Sequence, residues 1–123
     1  MKRSEARELA FKSIYSKFFV QDEHEMIEEE NGAGMEFVNK ILTSYNENRE
    51  DINAKISSHL KGYTIERVYK IDLAILVLAI IELDYIKENP KQVIINEAVE
   101  LAKKFSTEKS PRFINGVLAD IVK

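Results

Sequence analysis

The feature that most constrains the fold is an apolar stretch near the middle of the chain, IDLAILVLAIIEL (71–83). Wound as a helix, it is apolar on nearly every face, with Asp72 at its start and Glu82 near its end. A helix of this kind must be buried, and the stretch falls short of the roughly 20 residues that span a bilayer. The sequence therefore predicts a central core helix, within a longer helix over 65–87 that Thr64 caps.

Length and helical periodicity favour one domain over residues 1–123. A chain of 123 residues can bury its own core, and four Gly and two Pro leave few helix breakers. Apolar residues recur at helical spacing in further segments, which are 3–20, 35–45, 52–60, 90–105 and the stretch after Ser110. Pro90 and Pro111 mark the starts of the last two helices. We therefore predict an all-α fold of six helices of unequal length around one buried helix.

The sequence offers no residues suited to catalysis or metal binding. It has no cysteine, which excludes thiol nucleophiles, disulfides and cysteine-based zinc sites. His24 and His59 are far apart, and neither has a helical i, i+4 metal-binding partner. No glycine-rich phosphate loop follows a strand. No group of residues therefore stands out as a catalytic candidate, and we predict no metal and no cofactor. The basic start lacks an apolar signal region, which favours a cytoplasmic protein without a membrane segment.

Charge is distributed unevenly along a chain whose net charge is −3. Residues 1–17 and residues 103–123 each carry five basic against two acidic residues, whereas 21–36 carries seven acidic residues and no basic one. We interpret 21–34 as a solvated loop. Phosphate contacts need Lys and Arg along one surface, and recognition of single-stranded RNA adds aromatic rings for unstacked bases. The two ends offer this mixture if they meet in space; otherwise each is only a solvated face.

Two polar positions in predicted helices have more than one interpretation. An unpaired carboxylate at Asp72 would be costly in a buried helix, so it either pairs internally, with Arg7 as a partner, or anchors a basic group of another protein. The Asn115-Gly116 pair interrupts the last helix, where Gly is worth about 1 kcal/mol less than Ala. We predict that Gly116 permits close packing of a neighbouring helix, in preference to direct contact with RNA.

Three segments resemble the NusB transcription antitermination family. VIINEAVELAKKFSTEKSPRFINGVL (93–118) resembles the C-terminal signature of that family, EARELAFKSIYS (5–16) resembles its opening helix, and 71–83 is similar to its central helix. The resemblance implies an all-α fold of six to seven helices in two packed helical subdomains around a buried central helix. It also implies a protein without enzymatic activity.

The resemblance further implies partners and site residues. Proteins of this family bind the boxA element of RNA together with the small-subunit ribosomal protein that acts as NusE, and so support the elongating RNA polymerase complex. The RNA-binding positions carried over to this sequence are Lys2, Arg3, Arg7, Tyr15, Lys104, Phe105, Arg112 and Phe113. The acidic positions that resemble those facing the ribosomal protein are Glu66 and Asp72.

The chain departs from the family pattern at two places. Ser4 and Glu5 interrupt the basic opening, and Val77 stands where the family commonly has Arg. Two other interpretations remain open on the sequence. One is a non-catalytic helical domain that binds proteins and whose basic ends are only solvated. The other is the RNA-binding module found at the front of some RNA cytosine methyltransferases.

Overall fold

The computed structural model describes residues 1–19 and 33–123, which fold into helices joined by short turns. The five α-helices are α1 (Arg3–Lys17), α2 (Ala33–Ser58), α3 (Lys70–Ile81), α4 (Lys91–Phe105) and α5 (Ser110–Ile121). The predicted all-α class is confirmed. The described residues form five α-helices, fewer than the six to seven predicted. Most of the predicted acidic loop over 21–34 lies outside them.

The helix count is lower because two predicted helices are counted together as α2, whose two parts meet at a kink. Segment 35–45 and most of segment 52–60 lie in α2, and the backbone of Asn48 between them is non-helical (φ −126°, ψ 21°). The side-chain amide of Asn48 donates a hydrogen bond to the carbonyl of Ser44 at 3.0 Å. Such a local bond competes with the helical ladder, and the polar stretch interrupts the regular helix at Asn48.

The predicted helix over 65–87 is instead divided into three parts. A 3₁₀ turn (Ile65–Arg67) comes first, the backbone is extended at Val68 and Tyr69, and α3 begins at Lys70. After α3 the chain forms a π-helical turn, Glu82–Ile86. That turn ends at Lys87, which adopts a left-handed conformation with φ 56°. The apolar pattern located the buried part of this segment but not the breaks at its two polar ends.

Helix α3 lies at the centre of the fold. Every residue from Asp72 to Ile81 is buried, which confirms the predicted central helix. Helices α1 and α2 pack on each other and on α3, and helices α4 and α5 likewise pack on each other and on α3. Within residues 1–19 and 33–123, no helix is both long and apolar enough to cross a membrane.

Gly116 lies on the outer side of α5 and does not pack closely against another helix. A Cβ atom added there would meet no heavy atom within 4 Å, so the predicted close packing is wrong. Asn115, its neighbour, is exposed. A sequence pattern identifies the outer face of a helix, but it does not say whether a neighbour covers that face.

Gly116→Ala should therefore raise the free energy of unfolding by about 1 kcal/mol, because Ala has the higher helix propensity and its methyl group meets open space. Chemical denaturation measures this difference. Gly62→Ala is the matched control: Gly62 has φ +87°, a conformation that costs an L residue free energy, so this variant should be less stable than the parent. A lower stability of Gly116→Ala would contradict the open environment seen at this position.

Candidate nucleic-acid interface

Helix α1 lies beside the C-terminal end of α4. The rings of Phe11 and Phe105 have centroids 5.4 Å apart. The Nζ atom of Lys104 donates a hydrogen bond to Oε1 of Glu8 at 2.6 Å. Lys12 approaches from α1, with its Nζ atom 5.2 Å from the centroid of the Phe105 ring. The N-terminal helix and the end of α4 thus form one continuous surface.

We call this surface the α1–α4 patch, and define it as Glu8, Lys12, Lys104 and Phe105. The Nζ atom of Lys104 is also 5.2 Å from the Phe105 ring centroid, so the ring has an ammonium group from each helix near it. The side chains of Lys12 and Lys104 are 55% and 63% exposed. Two exposed cations share one carboxylate, and the patch can therefore attract phosphate groups.

The ionisation of Glu8 reports on this contact. The hydrogen bond from Lys104, followed by the one from Lys12, holds the pKa of Glu8 below its ordinary value. Because the pKa is lower in the folded state, the pair stabilises the fold above the unfolded-state pKa of a glutamate. That contribution is lost as the pH falls through the lower, folded-state pKa.

Lys104→Gln should raise the pKa of Glu8 towards the ordinary value of a glutamate, because the largest cause of the shift is removed. Carboxyl-carbon NMR titration measures this pKa directly. Lys103→Gln is the matched control, since Lys103 lies 3.9 Å from Glu100 and should leave Glu8 unaffected. An unchanged pKa in the Lys104 variant would mean that α1 and α4 do not meet in solution.

Lys2 and Arg3, at the start of the chain, are exposed to solvent, and each also contacts other residues of the protein. The backbone N–H of Lys2 donates to Oε1 of Glu5 at 3.2 Å, so the glutamate that interrupts the basic run helps to start α1. The guanidinium of Arg3 lies 4.2 Å from the ring centroid of Phe37 and 3.5 Å from a carboxylate oxygen of Glu88. Both basic side chains remain accessible to a ligand.

Arg7, by contrast, is buried. It is 4% exposed, and Glu82 is 2% exposed. Its Nε and Nη2 atoms donate to the two carboxylate oxygens of Glu82 at 2.9 and 3.1 Å, and Glu97 lies 3.9 Å away. Burial raises the pKa of Glu82, while the hydrogen bonds from Arg7 oppose this change. Arg7 therefore joins α1 to the end of α3, and the alternative pairing with Asp72 is wrong.

Asp72 finds its partners in the turn between α4 and α5. It is 6% exposed and accepts hydrogen bonds from the hydroxyls of Ser106 at 2.5 Å and Ser110 at 3.0 Å. Its carboxylate is thus satisfied inside the protein without a counter-charge. Glu66, in the 3₁₀ turn, is exposed. Of the two positions expected to face a protein partner, Glu66 is the one at the surface.

The remaining residues expected to bind RNA, Tyr15, Arg112 and Phe113, are not part of the α1–α4 patch. Tyr15 is half-buried and contacts Phe19, with ring centroids 5.1 Å apart. Arg112 is exposed. Phe113 is half-buried, and its ring centroid is 6.2 Å from that of Tyr63. Sequence reasoning missed Tyr63, because it lies between predicted helices in a stretch without a periodic pattern.

A family comparison bears on what this surface does. The model of the NusB family matches residues 4–123. The chain belongs to the NusB family. Its relatives include the transcription antitermination protein NusB of Clostridium novyi (strain NT), to which it is 36% identical, with 100% of this chain and 99% of the relative covered.

Solved NusB structures have the same fold. The structure of T. maritima NusB matches with a TM-score of 0.90 and 31% identity, covering 98% of this chain and 90% of that one. A structure of antitermination factors NusB and NusE in complex with dsRNA matches with a TM-score of 0.85 and 28% identity, covering 97% of this chain and 94% of the other. The fold is therefore one that occurs in a protein–RNA assembly.

Membership of the NusB family confirms the predicted family and the predicted lack of enzymatic activity, since the relatives are antitermination proteins. The full-length relatives are transcription antitermination proteins, which favours an antitermination factor over the methyltransferase alternative. Val77, noted above as a departure from the family pattern, is fully buried in the core.

The histidines contribute no metal site in the part of the chain that the structure covers. No group of three His, Asp or Glu side chains within 1–19 and 33–123 is arranged to hold a metal ion. His59 lies 2.6 Å from Asp120, measured between Nδ1 and Oδ2, and so joins the end of α2 to α5. His24 lies outside the described residues.

Proposed function

We propose that this protein acts in transcription antitermination by binding boxA-type single-stranded RNA together with the ribosomal protein that acts as NusE. The observation that carries this proposal is the α1–α4 patch, in which Lys12 and Lys104 meet across Phe105. Its members come from opposite ends of the sequence, and only the fold makes them one surface. Membership of the NusB family and the relative bound to NusE and dsRNA support it.

The proposed RNA surface extends the patch in both directions. Its cations hold phosphates and its aromatic rings hold unstacked bases. Besides Lys12, it comprises Lys2, Arg3, Tyr15, Lys104, Phe105, Arg112 and Phe113. We assign Arg7 a positioning role, because its guanidinium is occupied by Glu82. It fixes α1, which presents Lys2, Arg3 and Lys12.

The proposed protein partner contacts the region around the start of α3, next to the RNA surface, since Asp72 and Phe113 line the same groove. Glu66 offers an exposed carboxylate, while Asp72 acts through the serines of the α4–α5 turn. In this proposal residues 1–123 form one domain, in which the α1–α2 pair and the α4–α5 pair are two helical subdomains around α3. The RNA and ribosomal protein are delivered to elongating RNA polymerase in the cytoplasm.

A titration of labelled boxA RNA, with and without the ribosomal protein, tests this function. Binding should tighten when the ribosomal protein is present, and it should weaken steeply as salt rises, because phosphate contacts release counterions. An RNA of the same length with a scrambled boxA sequence is the control. Binding of the ribosomal protein without any binding of boxA RNA would instead indicate a helical protein-interaction domain.

A further inference from the structure

Two grooves on the surface meet at a ridge formed by two aromatic rings. The rings belong to Tyr63 and Phe113, with centroids 6.2 Å apart and planes inclined by 38°. Both residues line a groove of about 500 Å³ that runs along α5 and a second one of about 290 Å³ that runs towards the start of α3. Tyr63 is 37% exposed. A ligand that passes from one groove to the other must cross these rings.

The larger groove has an apolar wall and a cationic rim. Leu60 and Val117 contribute apolar surface, and Gly116 leaves the wall open on α5. Lys61 and Lys123 line the same groove. Asp120 contributes one carboxylate to the same groove and lies 2.6 Å from His59, so two lysine side chains stand against one carboxylate side chain in the rim.

The smaller groove also has cationic side chains along it. Arg67 and Lys109 line it, and Asp72 lies in it with its carboxylate occupied by two serine hydroxyls. Among the described residues, no carboxylate within 4 Å pairs with Lys61 or Lys123 of the larger groove, or with Arg67 or Lys109 of the smaller one. In each groove two cationic side chains outnumber one carboxylate side chain, an excess that attracts phosphate groups, and the ridge between the grooves is aromatic.

We infer that Tyr63 and Phe113 form a base-stacking site for the RNA strand, with phosphates on either side of the stacked base lying in the two cationic grooves. This inference rests on the proposed function and adds Tyr63 and the groove at Gly116 to the RNA path. An aromatic ridge between cationic grooves is the arrangement that single-stranded nucleic acid needs, because bases stack on rings while the backbone follows the cations.

Tyr63→Ala should weaken boxA RNA binding by about tenfold, as expected for the loss of one base-stacking ring, with little change in thermal midpoint because Tyr63 is exposed. Tyr63→Phe keeps the ring and should retain the affinity. Tyr85→Ala is the matched control: Tyr85 is 39% exposed, lines a separate cavity beside α2 and should not affect RNA binding.

Gly116→Leu tests the larger groove without removing any contact. A Cβ atom at this position meets no heavy atom within 4 Å and leucine has the higher helix propensity, so the thermal midpoint should stay the same or rise while RNA affinity falls. If Gly116 had only a structural role, RNA affinity would fall only together with the thermal midpoint.

Unchanged RNA affinity in both Tyr63→Ala and Gly116→Leu would overturn this inference. The proposed function would still hold in that case, provided that the parent protein binds boxA RNA. A parent protein that binds no RNA would instead refute the proposed function. Selective loss of ribosomal-protein binding in Tyr63→Ala would assign the ridge to the protein partner and would also overturn the inference.

Discussion

Arg7→Ala should lower the free energy of unfolding by about 3–5 kcal/mol, the cost of leaving a buried charge without its partner. Glu82 would keep a carboxylate that is 2% exposed and lose both hydrogen bonds that satisfy it. For a domain whose total stability is about 5–15 kcal/mol, this loss is severe. Chemical denaturation monitored by circular dichroism measures it.

Two variants control for this result. Arg3→Ala removes an exposed arginine whose side chain is 42% accessible, and it should cost less than about 1 kcal/mol. Arg7→Met combined with Glu82→Leu removes both charges and should recover most of the lost stability. If Arg7→Ala proves as mild as Arg3→Ala but abolishes RNA binding, Arg7 contacts RNA directly and the positioning role assigned to it is wrong.

Replacing Lys12 and Lys104 together by Gln should weaken boxA RNA binding more than tenfold at moderate salt. Each phosphate contact of a single-stranded RNA contributes about 0.7 to the slope of log affinity against log salt, so the slope should fall by about 1.4. A matched charge control on α2, Lys40→Gln with Lys55→Gln, removes two lysines that pair with Glu88 and Asp84. Fluorescence anisotropy at several salt concentrations measures both variants.

The control variant should keep the parent slope. An equal loss of affinity in the Lys12/Lys104 and Lys40/Lys55 double variants would mean that RNA binding depends only on the net charge of the protein. The α1–α4 patch would then not be a defined binding site. Since Lys12 and Lys104 are both well exposed, their removal should leave the thermal midpoint close to that of the parent. A large drop in midpoint would make their role structural.

The central helix could be predicted from sequence because it depends on composition alone. A helix that is apolar on every face is stable only when it is buried, and α3 lies at the buried centre of the fold. The partner of Arg7 could not be predicted in the same way. Asp72 and Glu82 lie at opposite ends of one helical segment, and the direction in which α1 crosses α3 decides which carboxylate Arg7 reaches. Periodicity identifies the buried face of a helix but not that direction.

The candidate site was predictable only in part for a similar reason. The charge distribution indicated that basic residues at both ends of the chain could contact RNA phosphates. The structure places Lys104 and Phe105 beside α1. The pairing of Phe113 with Tyr63 depends on tertiary contacts between segments 50 residues apart. Gly116 shows the opposite case, because a glycine expected to permit close packing faces open space.

Photo-crosslinking of boxA RNA in the complex with the ribosomal protein tests the composite surface most directly. Mass spectrometry of the crosslinked peptides should identify contacts both in α1 and in the segment from Lys103 to Phe113, formed by the same short RNA. Crosslinks confined to only one of these segments, or found mainly on α2, would contradict the account, because the two ends of the chain would then not act as one binding surface.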